Sequence, residues 1–193
     1  MRLINHIRKG LRRFCRGSEG GLSVEAVVIL PLMMLGFGLT ATYYDAFRAR
    51  TANVKAAYTV GDLLSRQKEP IDQEFIDGLA DIFDYLTDDT DQSWIRVSVV
   101  SWSVSQDKLL LKWSKVSGTS PDPVLTQEDI ENMADRIPVM ADGDTIILVE
   151  THMDYSSVLE QLPFYTKWLN SGIEFDNFVV TSPRFVPKLE FTS

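Results

Sequence analysis

The sequence predicts an α+β protein: one long N-terminal membrane-spanning helix that continues into a domain with an antiparallel sheet of about four strands. Three observations predict it. Ala26–Tyr44 is nineteen residues without a charge, enough for a helix of roughly 29 Å, close to the hydrocarbon thickness of a bilayer. Apolar residues then recur at helical spacing through Leu64 and again between Phe75 and Leu86. Beyond Trp94, runs of Val, Ile, Trp and Thr alternate with polar residues and are separated by turn-forming sequence.

The charge is unevenly divided. Arg2, Arg8, Lys9, Arg12, Arg13 and Arg16 against Glu19 give the first nineteen residues a net charge of +5, while the whole chain carries −8, so the remainder carries −13. Lys and Arg beside an apolar span resist translocation. The expected organisation is therefore a basic cytoplasmic leader over 1–20, a transmembrane helix over 21–44 and an extracytoplasmic domain over 45–193. The acidic exterior argues against nucleic acid as a partner, because a phosphate backbone needs a basic footprint. The leader's basic residues read instead as topology determinants and contacts to membrane lipids.

Cys15 is the only cysteine, so no intrachain disulfide forms. It precedes the apolar run, whereas a lipoprotein cysteine follows one. The apolar run is longer than the core of a cleaved secretory signal, and Thr40-Ala41-Thr42-Tyr43-Tyr44 has no convincing small-residue cleavage site. A retained anchor is expected. Glu25 at its mouth is the oddity, since an acid there is either solvated at headgroup level or functional.

Gly20 precedes Glu25 by five positions and Pro31 follows it by six. A basic leader, Gly, four residues, Glu and an apolar helix with Pro resemble the class III signal of type IV pilins and pseudopilins. More closely, Arg12-Arg13-Phe14, Gly20-Gly21-Leu22-Ser23-Val24-Glu25-Ala26-Val27 and Leu30-Pro31-Leu32 resemble the TadE/TadF/TadG group of tight-adherence (Tad, Flp) pilus-assembly proteins. The resemblance covers residues 12–48, with a weaker echo at Thr181-Ser182-Pro183-Arg184-Phe185. It implies a pilin-like architecture and a minor pseudopilin-like structural protein of the bacterial inner membrane, N-terminus cytoplasmic and C-terminus periplasmic. It implies a prepilin peptidase cutting after Gly20, which leaves Gly21 as the new N-terminus and Glu25 at mature position five; a cut after Gly21 would put Glu25 at position four, outside the pattern. It implies other pilin or pseudopilin subunits and Tad assembly proteins as partners. Glu25 and Pro31 would act in assembly, the Glu25 carboxylate pairing with the new α-amino group of a neighbouring subunit.

Along the rest of the chain, one helix is expected from about Val24 to Arg66, with Phe47, Val54, Tyr58, Gly61 and Leu64 on its apolar side and Lys68-Glu69-Pro70 stopping it. Asp72 caps a second helix with Phe75, Ile76, Leu79, Phe83 and Leu86 inward. Thr87–Gln92 is an acidic loop without the glycine and closing glutamate of an EF-hand. Strands are expected at Trp94–Ser105 and Lys108–Lys115 around a Gln106-Asp107 turn, with a loop over Val116–Val124. Thr126 caps a helix with Ile130, Met133, Ala134 and Ile137 inward. Thr145–Tyr155 is a strand, Leu159–Asn170 an aromatic-rich short helix or loop, and Ile173–Phe185 a last strand with Pro183 near its end. The helices are expected on one face of the sheet.

The sequence points away from enzyme chemistry. Glu150, His152 and Asp154 share a strand face, but one imidazole with two acids is weak zinc evidence. Ser156 and Ser157 lie near His152 without a Gly-x-Ser-x-Gly elbow. No cofactor and no metal is expected. Among the aromatics, Tyr165 and Trp168 are open between core packing and subunit contact. The competing functional class is a membrane-anchored extracytoplasmic binding module or enzyme whose anchor only resembles a pilin's.

Overall fold

The structure is a computed structural model and describes residues 21–88, 93–119, 124–155 and 173–192. It is α+β, with one long apolar N-terminal helix and a four-stranded antiparallel sheet. The chain divides into two compact units, one ending at Tyr44 and one beginning at Asp45. Helix α1 is Gly21–Ser65 and contributes residues to both units.

In the first unit, the described side chains of α1 are exposed almost throughout, and Pro31 sits inside the helix. Thr40 and Thr42 donate their hydroxyls to the carbonyls of Gly36 and Gly38, at 2.9 and 3.0 Å. These two hydroxyls are thereby satisfied within the helix and need no solvent partner.

In the second unit, α1 buries Asn53, Ala56, Ala57, Val60, Gly61 and Leu64. This stripe is rotated from the expected one: Phe47 and Tyr58 are exposed. The reason is size. Ala56, Ala57 and Gly61 let the helix lie close to the sheet, and a Cβ on Gly61 would come within 3.3 Å of the Val179 side chain. Asn53 is wholly buried, and its amide donates to the Phe175 carbonyl at 3.0 Å. Its oxygen accepts from the Asn177 amide and faces the Thr151 hydroxyl. A buried amide is tolerated only with its partners in place, so this network fixes the helix against two strands.

Ser65 ends α1, and its carbonyl accepts the Arg184 amide at 2.8 Å. Helix α2, Gln73–Thr87, begins where the Asp72 carboxylate accepts from the Phe75 amide at 2.9 Å. Its inner face is Ile76, Leu79, Ala80 and Phe83; Leu86, expected inward, is largely exposed. Strands β1, Trp94–Ser103, and β2, Lys108–Gly118, form a hairpin turning at Val104–Asp107, where Asp107 takes a positive φ of 50°. Strand β2 runs past Lys115 because Val116, Ser117 and Gly118 pair with Arg96, Ile95 and Trp94. Gly118 has φ of 96°, and a Cβ there would meet the Ser93 carbonyl at 2.5 Å, so the close approach requires glycine.

Thr126 and Asp129 form a reciprocal capping box at the start of α3, Gln127–Asn132, which is followed by a 3₁₀ turn at Ala134–Arg136. Ile130 and Ile137 point inward, whereas Ala134 is exposed because that turn replaces the expected α-helical one. Strand β3 is Thr145–Tyr155 and β4 is Ile173–Thr181. The sheet order is β2-β1-β3-β4. Strand β4 stops short of Phe185, since Pro183 cannot donate to a ladder and the chain turns to meet Ser65. The tail then crosses the domain: Leu189 is buried, Trp113 donates to its carbonyl at 2.9 Å, and Ile71 bridges Phe191.

The helices do not lie on one face. α1, α2 and the tail cover the face of Ile95, Val97, Val99, Ile147, Val149, Met153 and Val179. Ile130 and Ile137 cover Val100, Ile146 and Leu148 on the other. Cys15, Gly20, Asp89–Gln92, Ser156, Ser157 and the 159–170 aromatic segment with Tyr165 and Trp168 lie outside the described residues.

Replacing Asn53 with Ala removes the amide donor to the Phe175 carbonyl and the oxygen that accepts from Asn177 and Thr151. The expected loss is about 1–3 kcal/mol, read as a lower denaturant midpoint by tryptophan fluorescence of the full chain in detergent. Gly118→Ala is expected to lower the same midpoint, through strain at the end of the hairpin.

Candidate functional site

The residues singled out in the sequence fall in two places, one in each unit. In the first, Gly21 opens α1, Glu25 lies one turn later and Pro31 six residues beyond Glu25. A four-residue separation puts Gly21 and Glu25 on the same side of a helix. Glu25 is exposed, as are Val27, Val28, Leu30, Leu32, Met33, Met34, Leu35 and Phe37. An 18-residue window of this helix has a mean hydropathy of 2.0, with none of it buried. The helix is long and apolar enough to cross a membrane. Gly20, the other member of the expected processing site, lies outside the described residues.

The second place is a polar patch on the α3 side of the sheet, at the Trp94 end of β1. Cross-strand pairing builds it. Arg96 stands opposite Glu150, Trp94 opposite His152, His152 opposite Asp176, and Asp154 opposite Glu174. Residues directly opposite on one face of an antiparallel pair touch. Arg96 holds the Glu150 carboxylate at 2.7 Å, with both side chains nearly buried. The indole of Trp94 stacks on the His152 ring, 5.5 Å between centroids and 9° from parallel, and the Arg96 guanidinium lies 5.2 Å from the Trp94 ring.

The expected trio of Glu150, His152 and Asp154 is thus divided. Glu150 belongs to Arg96, and His152 turns to β4. Its Nδ1 is 2.6 Å from Asp176 and its Nε2 is 3.3 Å from Asp154. Sequence reading missed Glu174 and Asp176. Their only local signal is an alternating Glu-x-Asp at the head of β4, which acquires meaning once the β3–β4 register is known.

The electrostatics follow from these neighbours. Burial alone would lower the basicity of His152. The hydrogen bond and charge of Asp176, reinforced by Asp154, outweigh it and raise the imidazole pKa above 6.5. Asp129, in the capping box, is shifted down from the usual carboxylate value by hydrogen bonds from the Thr126 hydroxyl and amide. No protein-family model, curated protein or solved structure matches this chain.

Since the folded imidazole is more basic than the unfolded one, its ion pairs stabilise the fold fully below the unfolded pKa of 6.5. That contribution is lost as pH rises through the folded value. In buffer with a chelator, the wild type should exceed His152→Gln in melting temperature by more at about pH 5.5 than at about pH 8.5. A pH-independent difference would contradict the ion-paired imidazolium.

Proposed function

We propose that this chain is a membrane-anchored minor pseudopilin-like structural protein of Tad/Flp pilus assembly, with no enzymatic activity of its own. In this reading α1 spans the bacterial inner membrane, the basic leader is cytoplasmic and the α+β domain is periplasmic. The observation that carries it is the placement of Glu25: five residues after Gly20 and directly before Ala26–Tyr44, an exposed uncharged stretch of α1 long enough to cross a bilayer.

A lone carboxylate at that depth is costly unless something pairs with it. Cleavage after Gly20 would create an α-amino group on Gly21, one helical turn from Glu25 and on the same side. In a stack of parallel helices, the amino group of one subunit then meets the carboxylate of the next. The pair offsets the desolvation of both charges and fixes the axial register. The partners in this reading are other pilin or pseudopilin subunits, the Tad assembly proteins, the prepilin peptidase and the surrounding lipid. Pro31 removes one backbone donor inside the helix, which gives the assembly interface a carbonyl that no helical N–H fills.

N-terminal sequencing of the membrane-bound protein should find Gly21 first in cells with their prepilin peptidase and Met1 in cells lacking it. Glu25→Ala should abolish or sharply reduce surface pili, while the domain still folds. An intact leader in both strains, together with normal piliation of the Glu25 variant, would favour a binding module or enzyme on a similar anchor.

A further inference from the structure

Three side chains at the β3–β4 end of the domain converge without an apolar purpose. One ligand atom each from His152, Glu174 and Asp176 lies within 4.8 Å of the others. We propose that His152 Nδ1, Glu174 and Asp176 form a binding site for a divalent transition ion of the zinc class, with Asp154 orienting the imidazole from behind.

The arrangement has the features such a site requires. Two of the ligands, His152 and Asp176, are directly opposed on hydrogen-bonded strands, and Glu174 lies two residues before Asp176 on the same strand, opposite Asp154, so the backbone sets their spacing. Trp94 lies flat against the imidazole and fixes its plane. The two ring nitrogens have different tasks. Nδ1 faces Asp176 at 2.6 Å, while Nε2 lies 3.3 Å from the Asp154 carboxylate. A metal-bound imidazole ordinarily donates its other N–H to a carboxylate, which sets the tautomer and raises the basicity of the ligating nitrogen. Asp154 is placed for that role and is separate from the three converging ligands.

Size and charge also agree. Zinc holds nitrogen and oxygen ligands at about 2.0–2.2 Å, which in a tetrahedral site puts ligand atoms about 3.3–3.6 Å apart. Binding therefore requires the ligand atoms to move by about 1 Å, and Glu174, which is exposed, has the rotamer freedom to do so. With the imidazole protonated, His152, Asp154, Glu174 and Asp176 together carry a net negative charge of two. A divalent ion on neutral imidazole halves it, relieving repulsion among three carboxylates. The mixed nitrogen and oxygen donors favour a transition ion over calcium or magnesium, which take oxygen ligands. Three protein ligands leave a further position to water.

The test uses the full chain in detergent micelles, in a His6→Gln/Cys15→Ser background that removes the leader's own metal-binding side chains. Titration calorimetry with zinc chloride should give one ion per chain, and zinc should raise the melting temperature more than calcium does. His152→Gln should abolish both effects. Glu174→Gln, at an exposed position where the fold tolerates it, should weaken the affinity by at least about tenfold, and Asp154→Asn by about 10- to 100-fold. Absence of zinc binding at about 100 μM, tighter than the weakest range of protein calcium sites, would overturn the proposal. So would zinc binding undiminished in the folded Glu174→Gln variant, or calcium binding as tightly as zinc.

Discussion

The domain depends on how closely one helix lies on one sheet. Ala56, Ala57 and Gly61 bring α1 down onto the strands, and that distance decides what else fits. It allows Leu64 and Val60 to bury completely beside Val179. It also brings the Asn53 amide within reach of the Phe175 carbonyl and of Asn177. Small residues alone would leave the helix free to slide, because alanine against valine has little directional preference. A buried amide does not slide: displaced by one turn, it loses its partners at a cost of about 1–3 kcal/mol. Close packing supplies the attraction, and the amide network supplies the register.

The two faces of the sheet are consequently unlike. One is sealed by α1, α2 and the returning tail, and every inward position of β3 from Ile147 to Tyr155 is buried there. On the other face, among the described residues, Ile130 and Ile137 lie over Ile146 and Leu148, and the Arg136 guanidinium lies over the Phe178 ring. Beyond Leu148, the same alternation places Glu150, His152 and Asp154 at half-buried positions. Polar side chains there must satisfy one another sideways, and they do so in cross-strand rows: Arg96 with Glu150, and Trp94 with His152 and Asp176. The chemistry of the polar patch is thus set by the strand register.

Much of this was legible in the sequence, for local reasons. Strand β3 alternates over its full length, Asp72 and Thr126 are caps whose signal lies within a few residues, and the uncharged run of α1 needs no context. The failures share a different cause. On α1 the periodicity marks Ala57, Gly61 and Leu64 correctly but adds Phe47 and Tyr58, whose size weighs heavily in any periodicity, while the close approach to the sheet selects Ala56 instead. Strand β2 continues past Lys115 only because β1 offers it partners. The trio on β3 divides because Arg96 captures Glu150 from a strand that is distant in sequence, and Asp176 reaches His152 through the β3–β4 register. Propensity and patterning report on a residue's own segment; sites made from several strands depend on pairing that no single segment encodes.

The exposed half of α1 poses the remaining physical question, which is what covers it. Thr40 and Thr42 return their hydroxyls to the backbone, so this helix asks for no polar partner there. Both accepting carbonyls belong to glycines, and a Cβ added at Gly36 would meet nothing within 4 Å. Gly36 and Gly38, two residues apart, face different sides of the helix, and Gly36 leaves a gap among large side chains on its own side. Another helix fills such a gap better than lipid tails do, since small residues let two backbones approach and gain dispersion contacts. This half of the helix carries two such features, the gap at Gly36 and the charge at Glu25. In the proposed assembly the two act together: close approach supplies the contact area, and the single carboxylate selects one axial offset among the many that an apolar surface would accept. This is the same division of labour seen at Asn53, where a single polar group fixes the register of an apolar contact.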